Sequence, residues 1–266
     1  MTVHLSGPAP NGRPEEWLIE LRDGGRPLRP EAGGERLALP GGAAARLISP
    51  HGGGRLWLAA LTLAGPIDEY LRRHGRPIRY GHAAQARPIS DYQNVYATEP
   101  GSAEMPSAGR PFTPELITRL VALGIEIAPL LLHTGVSSLE RGECPYPERL
   151  DVPGATVAKV ELTRLLGGRV IAVGTTVVRA LESSVGDDGR LHPTRGWTDL
   201  VLDRDAPVRA VDGILSGFHD PDASHLDLLE AVAGPATVAR AYRAAARAGY
   251  RRHEFGDIAL LLRRAG

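Results

Sequence analysis

A chain of 266 residues carrying 31 basic and 31 acidic side chains has no net charge, so nothing global draws it to nucleic acid or to an anionic membrane. Its single cysteine, Cys144, excludes an intramolecular disulfide, and Lys159 is its only lysine, a compositional bias from which no mechanism follows. No apolar run approaches the roughly 18 residues of a membrane span, and no charged segment followed by an apolar core opens the chain, so a soluble cytoplasmic protein without a membrane partner is expected.

Up to about residue 65 the chain reads as short strands and glycine turns: "EEWLIEL", "GERLALPGG", "AARLISP", "HGGG" and "RLWLAALTL". Closely spaced strands with tight turns predict a small antiparallel barrel or sandwich. "PIDEYLRRHG" predicts a helix with Pro66 near its start and Gly75 just past its end, and "RPIRYGHAAQARP" has the texture of a linker. Further on, helices are predicted near 114–123, 154–166, 176–184, 224–233 and 235–248. They alternate with the strands "IEIAPLLLH", "GRVIAVG", "DLVLD", "VDGILSGF" and "DIALLL". That alternation predicts an α/β layer with a buried sheet, whose active site gathers at strand ends. The expected architecture is a small antiparallel β-barrel domain over 1–75 and an α/β main domain over 80–266.

Three predicted strands end in polar or glycine-rich residues: "LLLHTGVSS" at His133, Thr134 and Gly135; "AVGTTVVR" at Gly174, Thr175, Thr176 and Arg179; and "ILSGFHDPDAS" at Phe218 and His219. Their expected clustering is the main structural clue. Gly174 lets the backbone turn, Thr175 or Thr176 can cap the next helix, and free N–H groups with Arg179 suit a carboxylate or phosphate, although an ordinary capped helix leaves the same trace. In "EPGSAEMPSAGRPFTPELI" small residues precede a Thr113 cap and Pro114 at the first helical position, a loop that lets a ligand approach the backbone or merely connects. "SHLD", with Ser224 and Asp227, has the spacing of a capping box.

Metal and nucleotide signatures are missing: there is no H-E-x-x-H, no paired C-x-x-C, no Walker A pattern and no G-x-G-x-x-G after a strand, so no metal is expected. Arg240, Arg243 and Arg247 share one face of the predicted helix "PATVARAYRAAARAG", with Arg251, Arg252, Arg263 and Arg264 following. This is the candidate phosphate-contacting patch; a solvated face is the plainer alternative.

Taken in order, "DYQNVYATEPGSAEMPSAGRPFT", "LLHTGVSSLE", "GGRVIAVGTTVVRALES", "GWTDLVL", "VDGILSGFHDP" and "AYRAAARAGYRRHEFGDIALL" resemble the S-adenosylmethionine:tRNA ribosyltransferase-isomerase family of queuosine biosynthesis. The N-terminal strands resemble that family's small barrel by pattern. The resemblance implies that S-adenosylmethionine donates its ribosyl part to 7-aminomethyl-7-deazaguanine in tRNA, giving epoxyqueuosine with release of adenine and methionine. It implies His133 or His219 as catalytic base. For substrate binding it implies Tyr92, Gln93, Ser107, Ala108, Gly109, Thr113, Thr134, Gly135, Gly174, Thr175, Thr176, Arg179 and Phe218, with Arg179 holding an anionic part of the substrate. The tRNA would meet Arg240, Arg243 and Arg247, and a monomer is expected.

The chain departs from the family pattern at several positions. A family histidine in P-T-A-G-L-H-F-T is Pro111, "ECPYPE" keeps Glu148 and loses two histidines, and in "GFHDPD" the asparagine and lysine of N-F-H-L-P-K become Gly217 and Asp222. A family segment with an N-N-T-R-V motif is not found, so an N-terminally short member or a fragment is expected. These replacements leave open transfer to a different acceptor, or a non-catalytic RNA-binding relative.

Overall fold

The computed structural model describes residues 1–10, 12–24, 26–79, 87–136, 146–219, 225–252 and 255–263. Cys144, Pro221, Asp222, Ser224 and Arg264 lie outside them, as does most of the predicted linker. The N-terminal strands are β1 (Thr2–Pro8), β2 (Glu16–Asp23), β3 (Arg26–Leu28), β4 (Arg36–Ala38), β5 (Ala44–His51) and β6 (Leu56–Thr62), followed by helix α1 (Ile67–His74). They form one antiparallel sheet in the order β1-β2-β6-β5-β4, with β3 on β2. Register shifts between Leu5 and Gly7 and between Leu47 and Ser49 put a bulge in each strand, which bends the sheet. Strand β1 was not legible in the sequence, because its alternation is broken by Ser6 and Gly7.

Both faces of β2 are buried, and this explains its near-continuous apolar run. Ile19 and Leu21 pack with Leu47, Trp57 and Ala59 inside the curved sheet. Leu18 turns the other way and meets Leu56 and Val136, so the second face is an internal junction with the rest of the chain. Glu20 shares that second face and is fully buried beside Arg55, His4 and Arg22. Burial pushes the Glu20 carboxyl up, but hydrogen bonds from His4 and Arg55 and the charges of Arg55 and Arg22 outweigh it, holding the group below the usual range. A depressed folded pKa gives stability that is present above the unfolded value near 4.5 and is lost as pH falls through the folded value. Urea unfolding from pH 6 downward is therefore expected to show an acid-dependent loss that Glu20→Gln reduces; an identical pH profile in the variant would reject this account.

The second part contains α2 (Pro114–Ala122), β7 (Leu131–His133), β8 (Glu148–Val152), α3 (Gly154–Leu165), β9 (Ile171–Val173), α4 (Thr175–Glu182), β10 (Thr194–Thr198), β11 (Gly213–Gly217), α5 (His225–Ala233), α6 (Pro235–Arg247) and β12 (Ile258–Leu262). The predicted helices form within two residues of their expected ends. The expected single buried sheet does not form: the described strands make two separate sheets, antiparallel β10-β8-β7 and mixed β12-β11-β9, in which β9 and β11 run parallel. "IEIAPLLLH" is a strand only over Leu131–His133, "DLVLD" is not a strand, and β8 and β10 were unforeseen. In β8 only Leu150 and Val152 are buried, and in β10 only Thr198, so neither strand carries a strong apolar signal, and each finds its pairing only once its partner, distant in sequence, is in place.

The core of this part gathers Val178, Ala180 and Leu181 of α4, Ile214 of β11 and Leu228 and Leu229 of α5. Buried Glu182 closes one side by accepting hydrogen bonds from the backbone N–H groups of Arg209 and Ala210, so a buried carboxylate is satisfied without a cation. Among the described residues, no helix is long and apolar enough to cross a membrane.

Candidate active site

The three polar strand ends converge, and the loop between Glu99 and Thr113 is packed on all of them. At the end of β7, the Thr134 N–H donates to Ser102 Oγ at 3.2 Å, and the Ala103 N–H donates to the Thr134 carbonyl at 2.9 Å. Gly101 lies against the His133 ring with φ +146°, and a Cβ placed on it would stand 2.7 Å from ring atoms. Glycine is required there both by backbone conformation and by contact. Ser107–Gly109 form a 3-10 turn that reaches the other two ends: Ala108 Cβ is 3.7 Å from where a Gly174 Cβ would be, and Ser107 Oγ is 3.8 Å from that of Gly217.

His133 is 9% exposed, and its Nε2 is buried without a hydrogen-bond partner among the described residues, as is Thr134 Oγ1. Burial lowers the His133 pKa, the Arg149 charge lowers it further, and Glu99 works against both. Burial and the Arg149 charge thus both favour the neutral imidazole.

Arg179 rises from the last turn of α4 and meets Glu148, the acid retained in "ECPYPE". Its Nε donates to the Leu200 carbonyl at 3.0 Å, while Nη2 is buried with no partner among the described residues. Glu148 also accepts from the Gly135 N–H at 3.3 Å, so this one carboxylate joins the β7 and α4 ends. Burial raises the Glu148 pKa by more than Arg179 and the Gly135 N–H lower it. Two of the Arg179 nitrogens, Nε and Nη1, are thus engaged within the protein. Neither Thr175 nor Thr176 caps α4. Gly174 occupies that position with φ +101° and no side-chain cap, because the chain enters the helix through a conformation that side chains disfavour.

At the end of β11, His219 Nε2 lies 3.0 Å from Ser216 Oγ, and the His219 N–H donates to Tyr242 Oη at 3.0 Å. Its ring is stacked on His225, with centroids 4.5 Å apart and planes within 7°. Burial, and then the His225 charge, press the His219 pKa down to about 3. Burial and then the Arg179 charge lower that of His225, which ties this pair electrostatically to the Arg179–Glu148 pair. Buried Phe218 packs edge-on against Tyr242 at 5.3 Å.

Thr113 Oγ1 caps α2 by accepting from the Leu116 N–H at 3.2 Å, as its Thr-Pro sequence predicts. Buried Tyr92 packs edge-on against Phe255 at 5.1 Å, and Gln93 is exposed. Gly109 is buried against Asn94 and Tyr96. Arg240, Arg243 and Arg247 are all exposed on α6, whose inner face buries Val238 and Ala245. Sequence reading missed His225, Gly101, Ser216 and Tyr242; the only local signal was a second histidine six residues after His219.

Residues 10–261 match the family described as queuosine biosynthesis protein. A Methylobacterium protein named S-adenosylmethionine:tRNA ribosyltransferase-isomerase is 39% identical over 78% of this chain and 61% of its own length. An Acidithiobacillus ferrooxidans protein of the same name is 37% identical over 94% of this chain and 75% of its own. The chain thus spans less than two thirds of the first of these relatives. The crystal structure of an S-adenosylmethionine tRNA ribosyltransferase from Thermotoga maritima is 27% identical, overlays 98% of this chain and 75% of its own, and gives a TM-score of 0.48. With a match that runs from just before β2 into β12 and takes in all three converging strand ends, the chain belongs to the queuosine biosynthesis protein family.

Proposed function

We propose that the chain transfers and isomerises the ribosyl part of S-adenosylmethionine onto 7-aminomethyl-7-deazaguanine in tRNA, releasing adenine and methionine and forming epoxyqueuosine. The observation that carries this reading is the convergence of His133, Thr134, Arg179 and His219 at three strand ends under one glycine-rich loop. The sulfonium of the donor acidifies its 5′ carbon, and a neutral imidazole that removes a proton there starts the loss of adenine and frees the sugar for attack by the amine. His219 takes this role: Ser216 and the His225 stack fix its ring, and Tyr242 holds its backbone N–H. Arg179 Nη2 and the N–H groups opening α4 offer one charge-assisted contact to the methionine carboxylate.

The decisive assay incubates the chain with S-adenosylmethionine and tRNA carrying the aminomethyl-deazaguanine, and follows adenine and the modified nucleoside. Adenine release that requires both substrates is expected; no release rejects the reading.

The same reading puts the protein in the cytoplasm as a monomer, binds tRNA through Arg240, Arg243 and Arg247, and divides the chain into a β domain over 1–75 and a catalytic domain over 80–266. Limited proteolysis should cut first between the two; cleavage at the termini alone argues against the division. Replacing the three arginines with glutamine is expected to weaken tRNA binding and to flatten the slope of log affinity against log salt by up to about 2 to 3, since each phosphate left without its cation takes roughly 0.9 off the slope. An unchanged slope returns that face to plain solvation.

A further inference from the structure

A cavity of about 180 Å³ lies where the N-terminal sheet meets the β10-β8-β7 sheet. Two of the three tryptophans of the chain line it, Trp17 from β2 on one side and Trp197 from β10 on the other. The third, Trp57, is 1% exposed in the core of the N-terminal sheet. His133, whose buried Nε2 has no partner among the described residues, lines the same cavity, and so do Gly101 and Arg149.

We propose that this cavity receives a fused bicyclic heteroaromatic base, with its faces against the indoles and a polar edge atom hydrogen-bonded to His133 Nε2. The cavity is below the roughly 300–1,000 Å³ that encloses a drug-sized ligand, so it suits a single base and leaves the rest of a substrate outside. Aromatic side chains take a base by its π face whatever its substituents, and a buried imidazole nitrogen without a partner supplies the one directional contact. The glycine at 101 brings loop backbone onto the imidazole, where any Cβ would stand 2.7 Å from ring atoms. His133 is thereby a binding residue, and proton removal is left to His219. This role of the cavity rests on the ribosyl transfer proposed above, a reaction that handles two such bases, adenine and the deazaguanine.

Tryptophan fluorescence of the full chain tests it, because Trp57 is shielded and a change reports Trp17 or Trp197. Adenine and 7-aminomethyl-7-deazaguanine are titrated separately as free bases, with calorimetry in parallel, and the base that saturates identifies the source. Saturable quenching by at least one is expected, weakened about tenfold or more in Trp197→Leu and in His133→Leu, as loss of a stacking or hydrogen-bonding partner implies. Thermal melts establish that each variant is folded, and the wild-type titration is decisive even where one is not. No saturable response to either base, or unchanged affinity in folded variants, overturns the inference. Base binding without turnover in the tRNA assay upholds it and rejects the reaction; turnover with unaltered binding in the variants does the reverse.

Discussion

Arg179→Ala is expected to lower the stability of the folded chain by about 3 kcal/mol, the lower end of what breaking a buried ion pair costs, because it strands the Glu148 carboxylate. The two side chains are 12% and 14% exposed, so solvent screens them little. For a chain of this size the loss corresponds to a fall in Tm of roughly 6 to 12 °C. The elevated Glu148 pKa shows that burial outweighs the attraction of Arg179, even though the two groups touch. The pair is therefore costly to break and adds little stability over an apolar replacement, and Arg179→Met with Glu148→Leu should recover most of the loss. The sign of the pH effect follows. A carboxyl whose folded pKa is raised favours the folded state below the unfolded value near 4.5, and that contribution is lost as pH rises through the folded value. Glu148→Gln should remove this decline. A stable Arg179→Ala protein with reduced affinity for S-adenosylmethionine would instead assign the guanidinium wholly to substrate.

His219→Asn is expected to lower kcat for adenine release by about 10² to 10⁴, the usual contribution of a positioned general base, with KM for S-adenosylmethionine changed only a few-fold. Asparagine keeps a side-chain polar group near Ser216 and leaves the backbone bond to Tyr242 in place. An independent readout comes from unfolding. The His219 pKa falls from 6.5 to about 3 on folding, so its contribution to stability is present above 6.5 and is lost as pH drops toward 3. The variant should lose part of this acid sensitivity, and His225, depressed by burial and by Arg179, retains the rest. Unchanged kcat in a folded His219→Asn protein would move the proton-transfer role elsewhere, with His133 the next residue to replace.

The site was half legible. "AVGTTVVR" and "ILSGFHDP" show where strands stop and polar groups begin, and the family resemblance orders these segments along the chain. His225 was not visible as a partner of His219, since residues six apart are neighbours neither on a strand face nor on a helix face. Their stacking depends on how α5 starts after β11.

What the sequence by itself determined is what short-range forces decide. Thr113-Pro114 sets the start of α2, since a hydroxyl cap and a fixed φ act within one turn, and the apolar periodicity of 154–165 and 235–247 sets α3 and α6. The glycine turns and apolar runs of residues 16–62 likewise set an antiparallel sheet. Tertiary structure alone decided that the second part holds two small sheets, that Glu148 meets an arginine 31 residues away, and that Gly101 closes on His133. Pairing, desolvation and close contact between distant segments depend on where the core brings them, and no local pattern encodes that distance.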